Sequence, residues 1–187
     1  MKFDEYKILA EKTLSNEFHS DKKVERILHA SLGLATEIEE LLINYNGEMD
    51  KINILEEMGD ACWYVSIYYR EYPNIKEPIE TEIEIENSLN PKDIIMDMLK
   101  SILRLQDIIK KKIFYNKTID ENAIATLVSE IDIDIRKYLK LNDIRIEDVW
   151  ERNINKLRAR YGEKFSSERA ITRDLETERE ILEGGSK

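Results

Sequence analysis

Four carboxylates in the first half of the chain have a spacing that suits a metal ion. Glu37 and Glu40 are three residues apart, and so are Glu57 and Asp60. If both stretches are helical, each pair lies on one helix face, about one turn apart. Carboxylate oxygens are the ligands that hard divalent cations take. Mg²⁺ or Mn²⁺ suits this set better than Zn²⁺, because no pair of Cys or His residues accompanies it.

The two pairs are also symmetric about a predicted turn. In an antiparallel helical hairpin centred near Glu48, Glu37 lies level with Asp60, and Glu40 lies level with Glu57. If the two faces turn toward each other, four anions converge in a small volume. Such a cluster is electrostatically costly without a cation.

A solvated helix face is the alternative interpretation of Glu57 and Asp60, because they lie opposite an apolar stripe on the helical wheel. Two observations favour a buried site. Residues 61–69 are apolar or aromatic nearly all round the helix, which indicates burial on several sides. Gly33 and Gly59 lie next to the carboxylates, and a helical Gly costs about 1 kcal/mol relative to Ala, so it indicates close packing or ligand approach.

Hydrophobic periodicity and capping residues predict the helices that must position these groups. Residues 73–90 alternate Ile with Glu, which fits a short strand or a frayed helix; with no second strand in the sequence, we expect a connector. The predicted helices run from Phe3 to about Leu14, from Ser20 or Asp21 to Asn44, from Asp50 to Pro73, from Asn90-Pro91 to Tyr115, from a Thr118–Glu121 capping box to Leu141, and from about Ile146 to Gly162.

The predicted fold is therefore all-α, a single helical bundle of about five or six helices with a C-terminal helical arm. We expect the bundle to cover residues 1–165 and the charged arm to cover residues 166–187.

The composition narrows the function classes. Apolar residues make up 42% and charged residues 36%, which supports a real core under a charged surface. The formal net charge of −10 disfavours nucleic-acid binding, although a small phosphorylated ligand held through a metal ion stays compatible with it. The longest apolar runs fall short of the roughly 18 residues of a membrane span, so we expect no membrane partner. Cys62, the single cysteine, suits a reducing cytoplasm.

Two stretches around the carboxylates resemble a known family. Residues 29–41 (HASLGLATEIEEL) and 55–64 (LEEMGDACWY) are similar to the signature of the all-α nucleoside triphosphate pyrophosphohydrolases, the MazG-like and dimeric dUTPase group. Their motif is an E-E-x-x-E block followed by E-x-x-D. Thr36 replaces the first Glu here, and the four carboxylates match the remaining positions.

A third stretch continues the resemblance. Residues 153–165 are similar to the Asn-x-x-Lys-Leu-x-x-Arg-Tyr block of MazG-like proteins, and residues 170–175 resemble an extension that some of them carry. The polar residues of this block, Asn153, Lys156 and Arg160, form a stripe that periodicity alone assigns to a solvated face. The resemblance implies that these three side chains bind phosphate oxygens.

The resemblance implies a Mg²⁺-dependent hydrolase, with Mn²⁺ as a substitute, that converts a nucleoside triphosphate, preferably a deoxynucleotide, to the monophosphate and pyrophosphate. It also implies a homodimer or homotetramer. Glu37, Glu40, Glu57 and Asp60 are the expected metal ligands, Glu56 the expected general base with Glu39 as its rival, and Tyr64 and His29 further candidates for substrate contacts.

Two alternatives stay open at this point. The chain could be a non-enzymatic helical bundle that docks partners through its charged connector and arm, with the carboxylates as surface groups or a structural cation site. It could also be a nucleotide sensor that keeps the site without turnover. Only the enzyme requires metal-dependent turnover.

Overall fold

A computed structural model of the chain contains seven α-helices within the residues that it describes, which are 1–15, 17–45, 50–79, 81, 83–85, 89–162, 168, 172 and 174–184. No β-strand occurs among these residues, so the predicted all-α class is confirmed. The helices are α1 (Phe3–Glu11), α2 (Lys22–Ile43), α3 (Lys51–Glu71), α4 (Pro91–Tyr115), α5 (Glu121–Leu141), α6 (Ile146–Tyr161) and α7 (Leu175–Leu182).

Local capping chemistry begins three of these helices where the sequence predicts. The carboxylate of Asp21 accepts a hydrogen bond from the backbone N–H of Val24 at 2.8 Å, and Asp50 caps α3 in the same way. Asn90 caps α4 and is followed by Pro91 at the first helical position, whose missing N–H leaves no donor unsatisfied.

The start of α5 differs from the prediction. The sequence predicts that Thr118 caps this helix through a capping box with Glu121, but the cap is Asp120. Its carboxylate accepts hydrogen bonds from the backbone N–H groups of both Asn122 and Ala123. An ionised carboxylate that accepts from two free N–H groups is a stronger cap than one hydroxyl. The helix therefore begins directly after Asp120 and not after Thr118.

Helices α2 to α5 surround the hydrophobic core, with α2 packed between α3 and α4, and α5 closing the ring against α4 and α3. The Tyr68 hydroxyl donates to the carbonyl of Ile27 at 3.0 Å and so ties α3 to α2 inside this core. Burying one such large side chain stabilises the fold by about 1.5–3 kcal/mol. The core side chains with no exposed surface include Ile27, Leu34, Ile38, Ile54, Met58, Ile95, Met98, Ile102, Ile131 and Ile135.

The segment between α3 and α4 packs on α5 as a connector. Its Ile75 and Ile83 side chains are buried, and the Lys140 ammonium on α5 donates to the Ile83 carbonyl at 3.0 Å. Glu77 accepts a 2.6 Å hydrogen bond from the guanidinium of Arg136, also on α5. Of the alternating Ile residues, Ile83 is buried whereas Ile79 is exposed, so the described residues of this segment follow the surface of α5 and form no strand.

The remaining helices lie outside this ring. Helix α6 packs on α3, and α7 packs on α6 and reaches α3. None of the side chains of α1 is buried. The predicted turn centre at Glu48 and the predicted boundary at residue 165 lie outside the described residues. Each helix in the described part of the chain is too short or too polar to cross a lipid bilayer.

Candidate metal and phosphate site

The packing of α2 against α3 brings together the four carboxylates that the sequence singled out. Glu57 is buried, Glu37 and Asp60 are half-buried, and Glu40 is exposed at the rim. Asp60 is the strongest charged neighbour of Glu37, and Glu40 is the strongest charged neighbour of Glu57. The two pairs therefore face each other with the register of an antiparallel hairpin.

Burial and repulsion by neighbouring carboxylates make two of these groups, Glu37 and Glu57, reluctant to ionise. Burial raises the pKa of Glu37 to about 7, and the charges of Asp60 and Glu40 add to the shift. Burial also raises the pKa of Glu57 to about 8, with further contributions from Glu40, Glu37 and Glu56. The interaction between the two side chains lowers the pKa of Glu37 and raises that of Glu57, so Glu57 holds a proton more tightly than Glu37 does. Near neutral pH the cluster thus retains a proton that an isolated glutamate would lose.

Helix α6 forms one wall of the site, and two of its side chains hydrogen-bond to Asp60. The side-chain amide of Asn153 donates to Oδ1 of Asp60 at 2.7 Å, and the Lys156 ammonium lies 2.7 Å from Oδ2. Lys156 has no exposed surface, so its charge is compensated inside the protein. Its Nζ is also 3.7 Å from Oε1 of Glu56.

Gly59 allows this close approach of α6. A Cβ atom at residue 59 would lie 3.0 Å from both Cβ and Nδ2 of Asn153, tighter than ordinary van der Waals contact. The glycine next to Asp60 therefore marks close helix packing, one of the two roles that the sequence indicates for it. The burial of Asn153 and Lys156 also excludes the solvated-face interpretation for these two residues.

Arg160, the third member of the polar stripe, pairs with the C-terminal helix. Its guanidinium makes a two-pronged ion pair with the buried Glu178 of α7, in which Nε lies 2.7 Å from Oε1. This pairing raises the pKa of Arg160 further above its already high ordinary value. Glu178 escaped the sequence analysis because it is one acidic residue among several in the arm, and no spacing rule links it to α6.

Three aromatic side chains border the carboxylates. The Tyr64 ring lies against Gly33, where a Cβ atom would overlap it. The ring centroids of His29 and Tyr64 are 5.5 Å apart, and those of Trp63 and Tyr64 are 4.9 Å apart, all in edge-to-face geometry. Burial, followed by the negative charges of Glu37 and Asp60, raises the pKa of Tyr64. Tyr64 thus lies within the field of the acidic cluster, and His29 and Trp63 extend the aromatic surface outward.

The two candidates for the general base occupy different positions. Glu56 is half-buried beside Lys156 and contributes to the field at Glu57. Glu39 is exposed on α2, two residues from Glu37 and therefore on another side of the helix. Of the two, Glu56 is the one that the fold brings to the cluster.

Burial raises the pKa of the Cys62 thiol to about 12, which keeps it protonated and unreactive as a nucleophile.

A hard divalent cation fits these residues by donor type and charge. The cluster contains five carboxylates (Glu37, Glu40, Glu56, Glu57 and Asp60), and the buried cation beside them, Lys156, forms ion pairs with Asp60 and Glu56. Once its protons are lost, the cluster has a surplus of negative charge that a divalent ion would compensate. No group of three Asp, Glu, His or Cys side chains is already arranged around a common point among the described residues. Each oxygen of Asp60 accepts one hydrogen bond from α6, so ligation by Asp60 would use the lone pair that each oxygen has left.

Comparisons of the chain with protein-family models, with curated proteins and with solved structures find no match. The geometry and electrostatics of this cluster are therefore the basis on which a function is inferred.

Proposed function

We propose that the protein is a Mg²⁺-dependent nucleoside triphosphate pyrophosphohydrolase that releases a nucleoside monophosphate and pyrophosphate, with a deoxynucleotide as the preferred substrate, in the cytoplasm. One observation carries the proposal: carboxylates from two antiparallel helices meet in a half-buried cluster, where repulsion and burial raise the pKa of Glu37 to about 7 and that of Glu57 to about 8. A folded protein tolerates such a cluster most readily when a cation occupies it.

The proposal assigns the metal to Glu37, Glu40, Glu57 and Asp60, with Mn²⁺ as a substitute. A bound Mg²⁺ supplies charge compensation for phosphate oxygens and a water of lowered pKa. The chain's own residues have three further tasks, which are to hold the metal ligands in place, to accept a proton and to bind the phosphates.

The proton acceptor in this proposal is Glu56, because it lies beside the ligands without being one of them. Lys156 positions both Glu56 and Asp60 from α6, and Asn153 orients Asp60 through its amide. Arg160 lies one turn beyond Lys156 on the same helix and binds phosphate oxygens once it leaves Glu178. Tyr64, backed by Gly33, with His29 and Trp63 beside it, forms the apolar side on which a base or sugar packs.

The test is pyrophosphate release from a panel of ribo- and deoxynucleoside triphosphates, in Mg²⁺ and then in EDTA. We expect release in Mg²⁺ only, with the monophosphate as co-product. Glu57→Gln and Asp60→Asn should each reduce the rate at least about 100-fold, the scale of losing one electrostatic stabiliser. Glu25→Gln, an exposed glutamate in the first turn of α2, is the matched control and should retain the rate.

Each other outcome selects a different function. Nucleotide binding without release, measured by calorimetry on the full chain, favours a nucleotide sensor. Neither binding nor release across the panel overturns the proposal and favours a bundle that docks partners. Full activity in both variants, with helicity confirmed by circular dichroism, overturns the assignment of the ligands.

A further inference from the structure

A cavity of about 270 Å³ lies between α3, α5, α6 and the connector. It is on another face of α3 from the carboxylate site, because Cys62 lines the cavity and Asp60, two residues earlier, points away from it. A dry apolar cavity of about 150 Å³ is sufficient to bind benzene. This one therefore has room for an aromatic ring with a short side chain. Helix α3 contributes four lining residues at helical spacing, Cys62, Val65, Ser66 and Tyr69.

The walls of this cavity are mainly apolar and aromatic. Val65 is buried, and the side chains of Tyr69 and Trp150 also line the space. Trp150 is 39% exposed, so a ligand can reach it from solvent. Cys62 adds an uncharged wall, because burial keeps its thiol protonated. Aromatic faces attract cations as well as apolar groups.

The floor of the cavity is an ionic network that is stable without a ligand. The buried carboxylate of Asp132 accepts hydrogen bonds from Nε of Arg136 at 2.9 Å and from the Tyr69 hydroxyl at 2.6 Å. The guanidinium of Arg136 also donates to Glu77 at 2.6 Å. These bonds fix the floor before any ligand arrives, so the cavity is preformed and its ligand avoids part of the cost of ordering a site.

The charge of the described lining residues favours a cation. They include two carboxylates, Asp132 and Glu77, and one guanidinium, Arg136, so one negative charge is left over. Glu77 lies at the mouth, since its side chain is 58% exposed, and its carboxylate has lone pairs that are open to solvent and to a ligand. The same surplus opposes a ligand that carries a phosphate or a carboxylate.

From the size, the walls and the charge we propose that this cavity binds a small aromatic amine in its protonated form. The ring packs against Val65 and Trp150, and the ammonium lies at the mouth beside Glu77. Both halves of such a ligand have a partner, because the walls take the apolar ring and the carboxylate takes the charge. A neutral aromatic molecule lacks the second contact, and an aromatic anion is repelled there.

Calorimetry on the full chain with phenethylamine as the probe tests the proposal. We expect saturable binding with a Kd of about 1 mM, the scale for so small a ligand. Phenethyl alcohol has the same ring without the charge and should bind about tenfold more weakly, because it lacks the ion pair and the attraction of a cation to the aromatic wall. Hydrocinnamate, the matched anion, should bind more weakly than the alcohol.

Three variants locate the bound amine. Ser66→Phe fills the cavity and should abolish binding; Ser66 is exposed and its hydroxyl bonds to the Trp63 carbonyl of its own helix, so the fold is retained. Trp150→Leu removes the aromatic wall and should raise Kd at least about threefold. Glu77→Gln should raise Kd about three- to fivefold, the scale of an exposed ion pair. Glu84→Gln, an exposed acid of the same connector, is the matched control and should leave Kd unchanged.

Several outcomes would overturn the proposal. Absence of saturable binding of phenethylamine does so, and so does an alcohol or an anion that binds as tightly as the amine. Binding that is unchanged in both Ser66→Phe and Trp150→Leu, with helicity confirmed by circular dichroism, would place the amine on the acidic surface of the protein and outside the cavity. All these outcomes are measured by the heat of binding, independently of nucleotide turnover.

Discussion

Two regions of the protein compensate their buried carboxylates differently. On α5, the carboxylate of Asp132 accepts hydrogen bonds from Nε of Arg136 at 2.9 Å and from the Tyr69 hydroxyl at 2.6 Å. Glu77 of the connector completes the network at the guanidinium. Between α2 and α3, by contrast, Glu37 and Glu57 face other carboxylates, and burial and repulsion raise the pKa of both.

The difference separates a structural role from a functional one. The α5 network pairs a buried acid with a buried base and uses the arginine to fasten the connector to the bundle. The cluster between α2 and α3 has one buried lysine for several acids. The first arrangement is complete without a ligand, whereas the second is destabilised until a proton or a cation joins it. Buried charge alone therefore does not mark a site; uncompensated buried charge does.

The largest expected effect comes from breaking the balanced network. Among the described residues, Arg136→Met leaves the buried Asp132 with the Tyr69 hydroxyl as its one hydrogen-bond partner, and we expect a loss of about 3–5 kcal/mol in the free energy of unfolding. Denaturation in urea measures it. Arg145→Met is the matched control, because its ion pair with Asp148 is exposed and should contribute about 0–1 kcal/mol.

A rescue variant shows that the loss comes from the unpaired carboxylate. Adding Asp132→Asn to Arg136→Met removes the uncompensated charge while leaving an oxygen that accepts from Tyr69, so much of the lost stability should return. A loss in Arg136→Met no greater than that in Arg145→Met would contradict the structural role of this network.

The sequence predicts those features of the two regions that depend on residues close to one another along the chain. The caps Asp21, Asp50 and Asn90 act within a few residues, so composition and spacing identify them. The facing of the carboxylate pairs also follows from local structure, since two helices joined by a short turn run antiparallel. The cap at Asp120 was missed because two acceptors, Thr118 and Asp120, lie close together and only the backbone geometry chooses between them.

The partners of the site were beyond prediction for a physical reason. A polar stripe on α6 has the same periodicity whether it faces water or a polar patch on α3, so the pattern could not place Lys156 beside Asp60. Likewise, Glu178 reaches Arg160, and Asp132 is joined by Tyr69 of α3, only because helices distant in sequence pack together. The sequence identifies which groups could act, and tertiary packing decides which of them are compensated.

The next effect is a gain in stability when the unbalanced cluster loses a carboxylate. The pKa of Glu57 rises from 4.5 to about 8 on folding, so between these pH values the folded state binds more protons than the unfolded state. The free energy of unfolding of the wild type therefore falls as pH rises through this window in the absence of divalent ions. Glu57→Gln removes this contribution, and at pH 8 we expect it to be more stable than the wild type by on the order of 2 kcal/mol.

Urea denaturation at pH 5 and pH 8 in EDTA checks the sign. The difference between Glu57→Gln and the wild type should be small at pH 5 and large at pH 8. Asp60→Asn provides the contrast, because it leaves the buried ammonium of Lys156 with less compensation and should destabilise the protein. If the free energy of unfolding has the same pH dependence in the wild type and in Glu57→Gln, then Glu57 does not carry the raised pKa, and this prediction is wrong.

A smaller effect is expected from Mg²⁺ itself. An ion that binds the folded state alone stabilises it by about 1.4 kcal/mol at ten times its dissociation constant. Because Glu37 and Glu57 must lose their protons to ligate the ion, its affinity should increase as pH rises through their pKa values of about 7 and about 8. Calorimetry in buffers of different ionisation enthalpy measures the released proton. Stabilisation that is equal at pH 6 and pH 8, or unchanged in Glu57→Gln, would place the ion elsewhere.

The smallest expected effect is on nucleotide affinity and concerns Arg160 and Glu178. These two residues form a buried, charge-balanced ion pair at the border of the proposed site. Glu178→Gln weakens the hold on the guanidinium and frees it for phosphate oxygens, so we expect KM for the nucleotide to fall about three- to tenfold, equivalent to roughly 0.7–1.4 kcal/mol, while kcat changes less. Glu176→Gln, exposed on the same helix, is the matched control. If turnover is absent, calorimetry with inorganic triphosphate gives the same comparison. An unchanged affinity in Glu178→Gln would assign Arg160 to holding α7 on the bundle and remove it from the phosphate-binding set.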